Sequence, residues 1–165
     1  MTPPPTLPHS ILGTWTLLEY TSEPFDRKGP TIHPMGPNAR GLLTYTSDGY
    51  MTMTVMPPTA GNKIKQSVHD GVMYTGRYWI DKPQADGKTG VMCHEVQMAC
   101  PAELENTVLK RQIMVEGGRL RLKSLRFVDL EGLMVKPELV WERCVLGLVF
   151  GSSADVGIWR WCWDT

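Results

Sequence analysis

Apolar and polar residues alternate along much of this chain with the two-residue period of half-buried β-strands. The clearest case is segment 50–56, which carries three apolar residues on one face: Met51, Met53 and Val55. A second strand is predicted just before it, over 42–46, and the residues between the two strands read Ser-Asp-Gly, which is typical of a tight turn. The pattern therefore predicts a hairpin over residues 42–56.

Further strand candidates recur roughly every ten residues and are separated by turn residues. They span 15–20, 73–80, 90–98, 109–115, 120–125 and 139–145. Gly117 and Gly118 supply the positive φ angles of a tight hairpin turn between two of them. Segment 101–106 could form a short helical turn or a plain loop. The spacing predicts an all-β barrel or sandwich rather than βαβ units.

Alternation also predicts which side chains face the interior. In the strand after Gly118, the charged residues Arg119, Arg121 and Lys123 share one face, which we expect to meet solvent. On the preceding strand, Arg111 has the parity of the apolar, inward-facing residues. An inward arginine is costly to bury without an acceptor, so it needs either a protein carboxylate or a ligand.

A histidine is predicted to face the interior on strand 90–98. His94 shares its face with Met92, Val96 and Met98, which form the apolar side of that strand. A neutral imidazole there could act as a general base, a hydrogen-bond donor or simple cavity lining. Because His94 and Arg111 lie on consecutive strands, they are the candidate catalytic pair at the polar end of a cavity.

Tyrosines and methionines are the candidate binding residues. Tyr74 and Tyr78 share an inward face, and a buried tyrosine hydroxyl needs a partner, which a ligand could provide. His33 lies in a loop stiffened by prolines that could line the barrel mouth or plug its base. The predicted substrate-binding set is Tyr45, Met53, Tyr74, Tyr78, Met92 and His33, and the alternative for each is ordinary barrel lining.

Length and composition narrow the function. A chain of 165 residues is one domain with a sizeable core, and 17 Lys plus Arg balance 17 Asp plus Glu. We therefore expect no nucleic-acid or membrane partner. Without a signal-peptide pattern, we expect a cytoplasmic protein with reduced cysteines. No phosphate-binding, dinucleotide, hydrolase or metal-binding motif is found, so the sequence predicts no cofactor and no metal.

Several motifs occur in the order typical of one family. They are Gly13-Thr14-Trp15, the loop from His33 to Gly41, Gly76 with Tyr78, His94, Arg111, and Trp141 with Arg143. Together they cover most of the chain and resemble the lipocalin-like domain family. The resemblance implies a small antiparallel up-and-down β-barrel with an internal ligand cavity. It also implies that Trp15 packs against Arg143 at the closed end, in a structural role.

The resemblance suggests two functional classes. Similar small proteins occur in microbial and fungal secondary metabolism, beside enzymes that tailor polyketides and terpenoids. This implies a cofactor-independent cyclase, isomerase or dehydratase that holds a hydrophobic intermediate in the barrel. The alternative is a non-catalytic carrier of a hydrophobic small molecule. An interaction module is a third, weaker interpretation.

Three regions are predicted along the chain. Residues 1–10 form a flexible proline-rich arm, 11–145 the barrel, and 146–165 an extension beyond the family pattern. The extension carries Trp159, Trp161 and Trp163 in alternation, which form an apolar ridge if it is extended. It could be an added strand, a lid over the cavity or the interface of a homodimer.

Overall fold

The computed structural model describes residues 9–26, 29–58, 71–84, 88–130 and 132–145. Short 3₁₀ helices span His9–Ile11 and Ala102–Leu104. The strands are β1 Gly13–Pro24, β2 Arg40–Tyr45, β3 Tyr50–Met56, β4 Val72–Asp81, β5 Thr89–Cys100, β6 Val108–Glu116, β7 Arg119–Ser124, β8 Val128–Leu130 and β9 Leu133–Arg143.

The strands form a closed antiparallel barrel. Strands β1 to β7 pair in chain order, and β9 pairs with β7 on one side and β1 on the other. This closes eight strands into a ring, while β8 pairs only with the first residues of β9. Closure leaves no free sheet edge along the ring. The predicted all-β barrel is therefore confirmed.

The predicted hairpins are present, and the differences lie at strand ends. Gly117 and Gly118 have φ angles of 58° and 77°, and Glu116 pairs with Arg119 across them. Strand β9 begins at Leu133, earlier than the predicted 139, and β8 was not predicted. Three residues are too few to show alternation, and Pro137 argues against a strand where its missing N–H would be needed.

One inward assignment was wrong. Met98 is 66% exposed, although it has the parity of the buried residues Met92, His94 and Val96. Opposite β4, Gly76 pairs with Val96 but Thr75 pairs with Met98, so one extra residue of β5 is inserted at this point. Such a β-bulge reverses the alternation beyond it, which turns Met98 to the outside.

Trp15 and Arg143 close one end of the barrel. The Arg143 guanidinium carbon lies 4.1 Å from the Trp15 ring centroid, and its Nη1 donates to the Leu12 carbonyl at 2.6 Å. A second Arg143 nitrogen donates to the carbonyl of Ser10. Trp15 Nε1 donates to the carbonyl of Ile11, a residue with no exposed surface. The packing implied by the family resemblance is thus found.

Two of the predicted regions fall at the ends of the chain. Residues 1–8 and the tryptophan-bearing extension 146–165 lie outside the described residues, while His9 and Ser10, predicted as part of a flexible arm, belong to the first 3₁₀ helix. In the ranges that the structure describes, no helix is both long and apolar enough to cross a bilayer.

Candidate functional site

A cavity of about 730 Å³ occupies the barrel at the end away from Trp15. Apolar side chains supply much of its wall, including Met53, Val55, Val72, Leu109 and Leu139. Met35, which lies in the proline-rich loop between β1 and β2, also contributes to the cavity wall. This loop therefore lines the mouth of the barrel, which is one of the two positions predicted for it. The volume is within the range of small-molecule pockets.

Polar groups converge on one part of this wall. Arg111 from β6 and Tyr74 from β4 both line the cavity, and Arg111 Nη2 donates to the Tyr74 hydroxyl oxygen at 3.2 Å. Arg111 Nε is buried and finds no hydrogen-bond partner among the described residues. Ser124 of β7, the register partner of Arg111, lines the cavity too and donates to the Arg126 carbonyl.

His94 lies directly behind Tyr74. It is fully buried, its Nδ1 is 3.0 Å from the Tyr74 hydroxyl, and its Nε2 is 2.8 Å from the Tyr45 hydroxyl. His94 does not line the cavity. A continuous chain of hydrogen bonds therefore runs from Arg111 through Tyr74 and His94 to Tyr45, and only its first two members reach the cavity wall.

The environment keeps these groups neutral, apart from Arg111. Burial, with the nearby Arg111 charge as the second cause, lowers the pKa of His94 well below 6.5. Burial raises the pKa of Tyr74, against an opposing effect of Arg111, and raises the pKa of Tyr45 well above 10.0. At neutral pH the chain of hydrogen bonds thus consists of a neutral imidazole, two protonated phenols and one cation.

The positions of the protons in this hydrogen-bonded chain follow from the donors and acceptors that each side chain offers. The Tyr45 hydroxyl is fully buried and has His94 as its partner among the described residues, so it donates to Nε2. The His94 proton then lies on Nδ1 and is donated to the Tyr74 oxygen. Because that oxygen accepts from both His94 and Arg111, the Tyr74 O–H proton is left to point toward the cavity. The cavity wall thus presents the Tyr74 O–H as a hydrogen-bond donor. The phenolate that remains after it gives up its proton would still accept hydrogen bonds from His94 and Arg111.

The structure separates the predicted site residues into two groups. Tyr74, Arg111 and Met53 line the cavity. His94, Tyr45, Tyr78 and Met92 are buried deeper in the barrel, and His33 is exposed outside it. The Tyr78 hydroxyl donates to the Thr46 carbonyl at 2.7 Å, and burial followed by the Asp48 charge raises its pKa to about 12. Tyr78 therefore has a structural partner of its own.

Tyr20 is a cavity residue that sequence reasoning missed. It lines the wall from β1, and burial raises the pKa of its hydroxyl while the charge of Arg111 opposes this. Strand β1 has an irregular register between Leu17 and Glu19, so simple alternation from Trp15 places Tyr20 on the wrong face. The signal that could have revealed the break is Glu19, a charged residue with the same parity as the apolar residues Trp15 and Leu17.

Metal-ligating side chains do not cluster in the described part of the chain. Within the described ranges, no group of three or more His, Cys, Asp or Glu side chains is placed to hold a metal ion. Cys93, Cys100 and Cys144 are not joined in disulfides.

The fold and the cavity define a β-barrel that binds small molecules in its interior. The family model of the lipocalin-like domain matches residues 12–144, and the chain belongs to this family. Comparison with curated proteins finds no match to the chain. The barrel of this family suggests a small hydrophobic ligand.

Proposed function

We propose that this protein is a cofactor-independent enzyme, a cyclase, isomerase or dehydratase, that acts on a hydrophobic polyketide- or terpenoid-like intermediate of secondary metabolism. The observation that carries the proposal is the Tyr74 hydroxyl, which lies at the cavity wall with two donors on its oxygen. Donors from Arg111 and His94 stabilise the phenolate that forms and offset part of the effect of burial, which raises the pKa of Tyr74.

A balanced reaction is compatible with this geometry. In an intramolecular aldol-type cyclisation, the enol carbon of the substrate attacks its own carbonyl carbon, and Tyr74 donates a proton to the developing alkoxide. The enol O–H becomes a carbonyl as its proton is released, and this proton restores Tyr74. No redox equivalent is consumed, and the apolar wall supports the reaction by holding the flexible chain folded.

The roles of the two predicted catalytic residues then differ. Arg111 reaches the cavity, donates to Tyr74 and stabilises negative charge on oxygen. His94 acts through Tyr74 and is a positioning residue: its Nδ1–H holds the Tyr74 oxygen, and its Nε2 is in turn held by Tyr45.

A carrier without chemistry is the second candidate. The observation that favours it is that both His94 nitrogens are already bonded within the protein, as in a purely structural core histidine. In this alternative the polar chain only rigidifies the barrel wall and orients the ligand. The two candidates differ in whether the bound molecule is chemically changed.

The test compares the molecules that three proteins carry. Wild type, Tyr74→Phe and Tyr50→Phe are purified from the producing organism, examined by native mass spectrometry, and denatured to release any compound. Tyr50 is the control because it is a partly exposed tyrosine outside the cavity wall. If the protein is the proposed enzyme, wild type and Tyr50→Phe should carry the cyclised product, while Tyr74→Phe should carry an open-chain isomer of equal mass. The same molecule from all three would support the carrier.

The cellular setting belongs to the same proposal. We place the activity in the cytoplasm and in secondary metabolism, as the sequence and the family resemblance predict. A homodimer through 146–165 stays a prediction, since that segment lies outside the described residues.

A further inference from the structure

Arg111 is a cation without a counter-ion in the described part of the chain. Its side chain enters the barrel between Leu109 and Ile113, and no carboxylate of the described residues lies within ion-pairing distance of it. Of its five N–H donors, one bonds Tyr74, and the buried Nε has no partner among the described residues. Arg111 is half-buried, and a charge partly removed from water is costly unless an anion compensates it.

The cavity wall itself offers no such anion among the described residues. Asp129 is the one carboxylate of the described lining residues; it is exposed, and its Oδ1 accepts from the Gly132 backbone N–H. The groups nearest to Arg111 are phenols and an imidazole, which are neutral at neutral pH because burial disfavours their charged forms, as the raised tyrosine pKa values and the lowered histidine pKa indicate. An anionic ligand in the cavity would supply the compensating charge that no described residue supplies.

We propose that the cavity selects hydrophobic ligands that carry a carboxylate, seated between the Arg111 guanidinium and the Tyr74 hydroxyl. Besides the Tyr74 O–H, four of the five N–H donors of the Arg111 guanidinium have no hydrogen-bond partner among the described residues, and both side chains line the cavity. A carboxylate accepts through two oxygens, so it can take hydrogen bonds from both side chains and neutralise the guanidinium. This ligand class specifies the substrate class of the proposed function. The inference rests on the proposed function only in that both use the same cavity.

The apolar remainder of the wall sets the other half of the ligand. Met35, Met53, Val55, Val72 and Leu139 surround the volume beyond Arg111. Methionines adapt to irregular aliphatic shapes, so a flexible hydrocarbon tail fits this wall. The preferred ligand is thus amphipathic, with an acid at the Arg111–Tyr74 end and an apolar body toward Met35 at the mouth.

The test is a matched set of probes: dodecanoic acid, 1-dodecanol and methyl dodecanoate, titrated calorimetrically into the protein at pH 7.5. We expect wild type to bind the acid at least about tenfold more tightly than the alcohol or ester, the size typical of a charge-assisted hydrogen bond. Arg111→Met should remove this preference. Arg119→Met, which deletes an exposed cation of β7, should keep it.

Two further measurements keep the test decisive. Thermal unfolding shows whether Arg111→Met is folded, and Arg111→Lys, which keeps the charge but not the planar fork, should retain part of the preference. Equal affinity for acid, alcohol and ester would overturn the inference, as would a preference that survives in folded Arg111→Met or no binding of any probe. A clear acid preference, together with the same released molecule from wild type and Tyr74→Phe, would uphold the inference while contradicting the proposed enzyme.

Discussion

At the scale of single residues, the site depends on a histidine that the protein holds neutral. His94 has no exposed surface and bonds a tyrosine through each ring nitrogen. A protonated ring would have to donate from both nitrogens near the Arg111 cation, and burial makes this still less favourable, which is why its pKa is lowered. The neutral form is what allows Tyr45 to donate to His94 and leaves the Tyr74 proton to the cavity.

The free energy of unfolding of the barrel should therefore decrease as the pH is lowered below about 6.5. In the unfolded chain His94 takes up a proton near pH 6.5, whereas its folded pKa is well below this. Between those values the unfolded state binds more protons, so the free energy of unfolding decreases by up to about 1.4 kcal/mol per pH unit. Urea denaturation at pH 7.5, 6.5 and 5.5 measures this slope.

Two variants show whether His94 is the source of this slope. His94→Gln should have a distinctly smaller slope between pH 6.5 and 5.5, whatever its stability at pH 7.5. His33→Gln, at an exposed histidine of the loop after β1, should keep the wild-type slope. Equal slopes in wild type and His94→Gln would show that the imidazole is protonated in the folded state.

Alternation predicted the inward direction of His94, Arg111 and Tyr74, because the strand period is two and each lies among apolar residues of its own parity. It could not predict depth along the barrel. Tyr78 and Met92 face inward as predicted, yet they lie below the cavity, since depth depends on the register between strands. The link from His94 to Tyr45 joins residues 49 positions apart and has no local signal.

At the scale of elements, the contact between β4 and β5 is set by a glycine. A Cβ atom on Gly76 would lie 1.9 Å from the Glu95 carbonyl oxygen and 3.0 Å from the Gln97 nitrogen. Both are backbone atoms beside the β-bulge, which cannot move without breaking the strand pairing. Gly76 therefore fixes the register that places Tyr74 and His94 within hydrogen-bonding distance.

Gly76→Ala should destabilise the barrel by about 1–3 kcal/mol, the usual effect of overpacking. Gly90→Ala is the matched control, because a Cβ there would lie 3.1 Å from Ile80 Cγ2, 3.3 Å from Pro83 Cα and 3.4 Å from the Lys82 carbonyl oxygen, which are much looser contacts than the 1.9 Å at Gly76. Chemical denaturation of both variants measures the difference. A Gly90→Ala loss as large as that of Gly76→Ala would contradict this account of the β4–β5 contact.

The strands themselves were predictable, because long segments alternate clearly between apolar and polar residues. The bulges within the strands were not predictable. An inserted residue in β1 or β5 leaves composition unchanged and shifts only the parity, so simple alternation places Tyr20 and Met98 on the wrong faces. The bulge in β1 directly precedes Tyr20, and the bulge in β5 lies opposite Thr75 and Gly76, next to Tyr74; both tyrosines line the cavity. The least predictable elements are therefore close to the site itself.

At the scale of the whole molecule, the barrel divides into a closed end and a cavity end. Trp15, Trp141, Ile11 and Leu120 are fully buried around the closed end, and none of them lines the cavity. Arg143 ties this end together through the carbonyls of Ser10 and Leu12. Stability and ligand binding should therefore be separable by mutation.

Arg143→Met should lower the free energy of unfolding by about 2–4 kcal/mol, since it leaves two carbonyls without their charged donor and removes the cation–π contact. The acid preference of ligand binding should be unchanged at a temperature where the variant is folded. Arg111→Met provides the converse comparison, with a larger effect on binding. If Arg143→Met lost the preference while still folded, the two ends would not be independent.

We propose that Arg111 and Tyr74 form the polar end of the ligand site in this barrel. The sharpest test is a crystal structure of the protein bound to the compound released from it. We predict ligand oxygens within about 3 Å of an Arg111 guanidinium nitrogen and of the Tyr74 hydroxyl, with the apolar body along Met53 and Leu139. An apolar group against Arg111, or a ligand bound outside the barrel, would contradict this assignment.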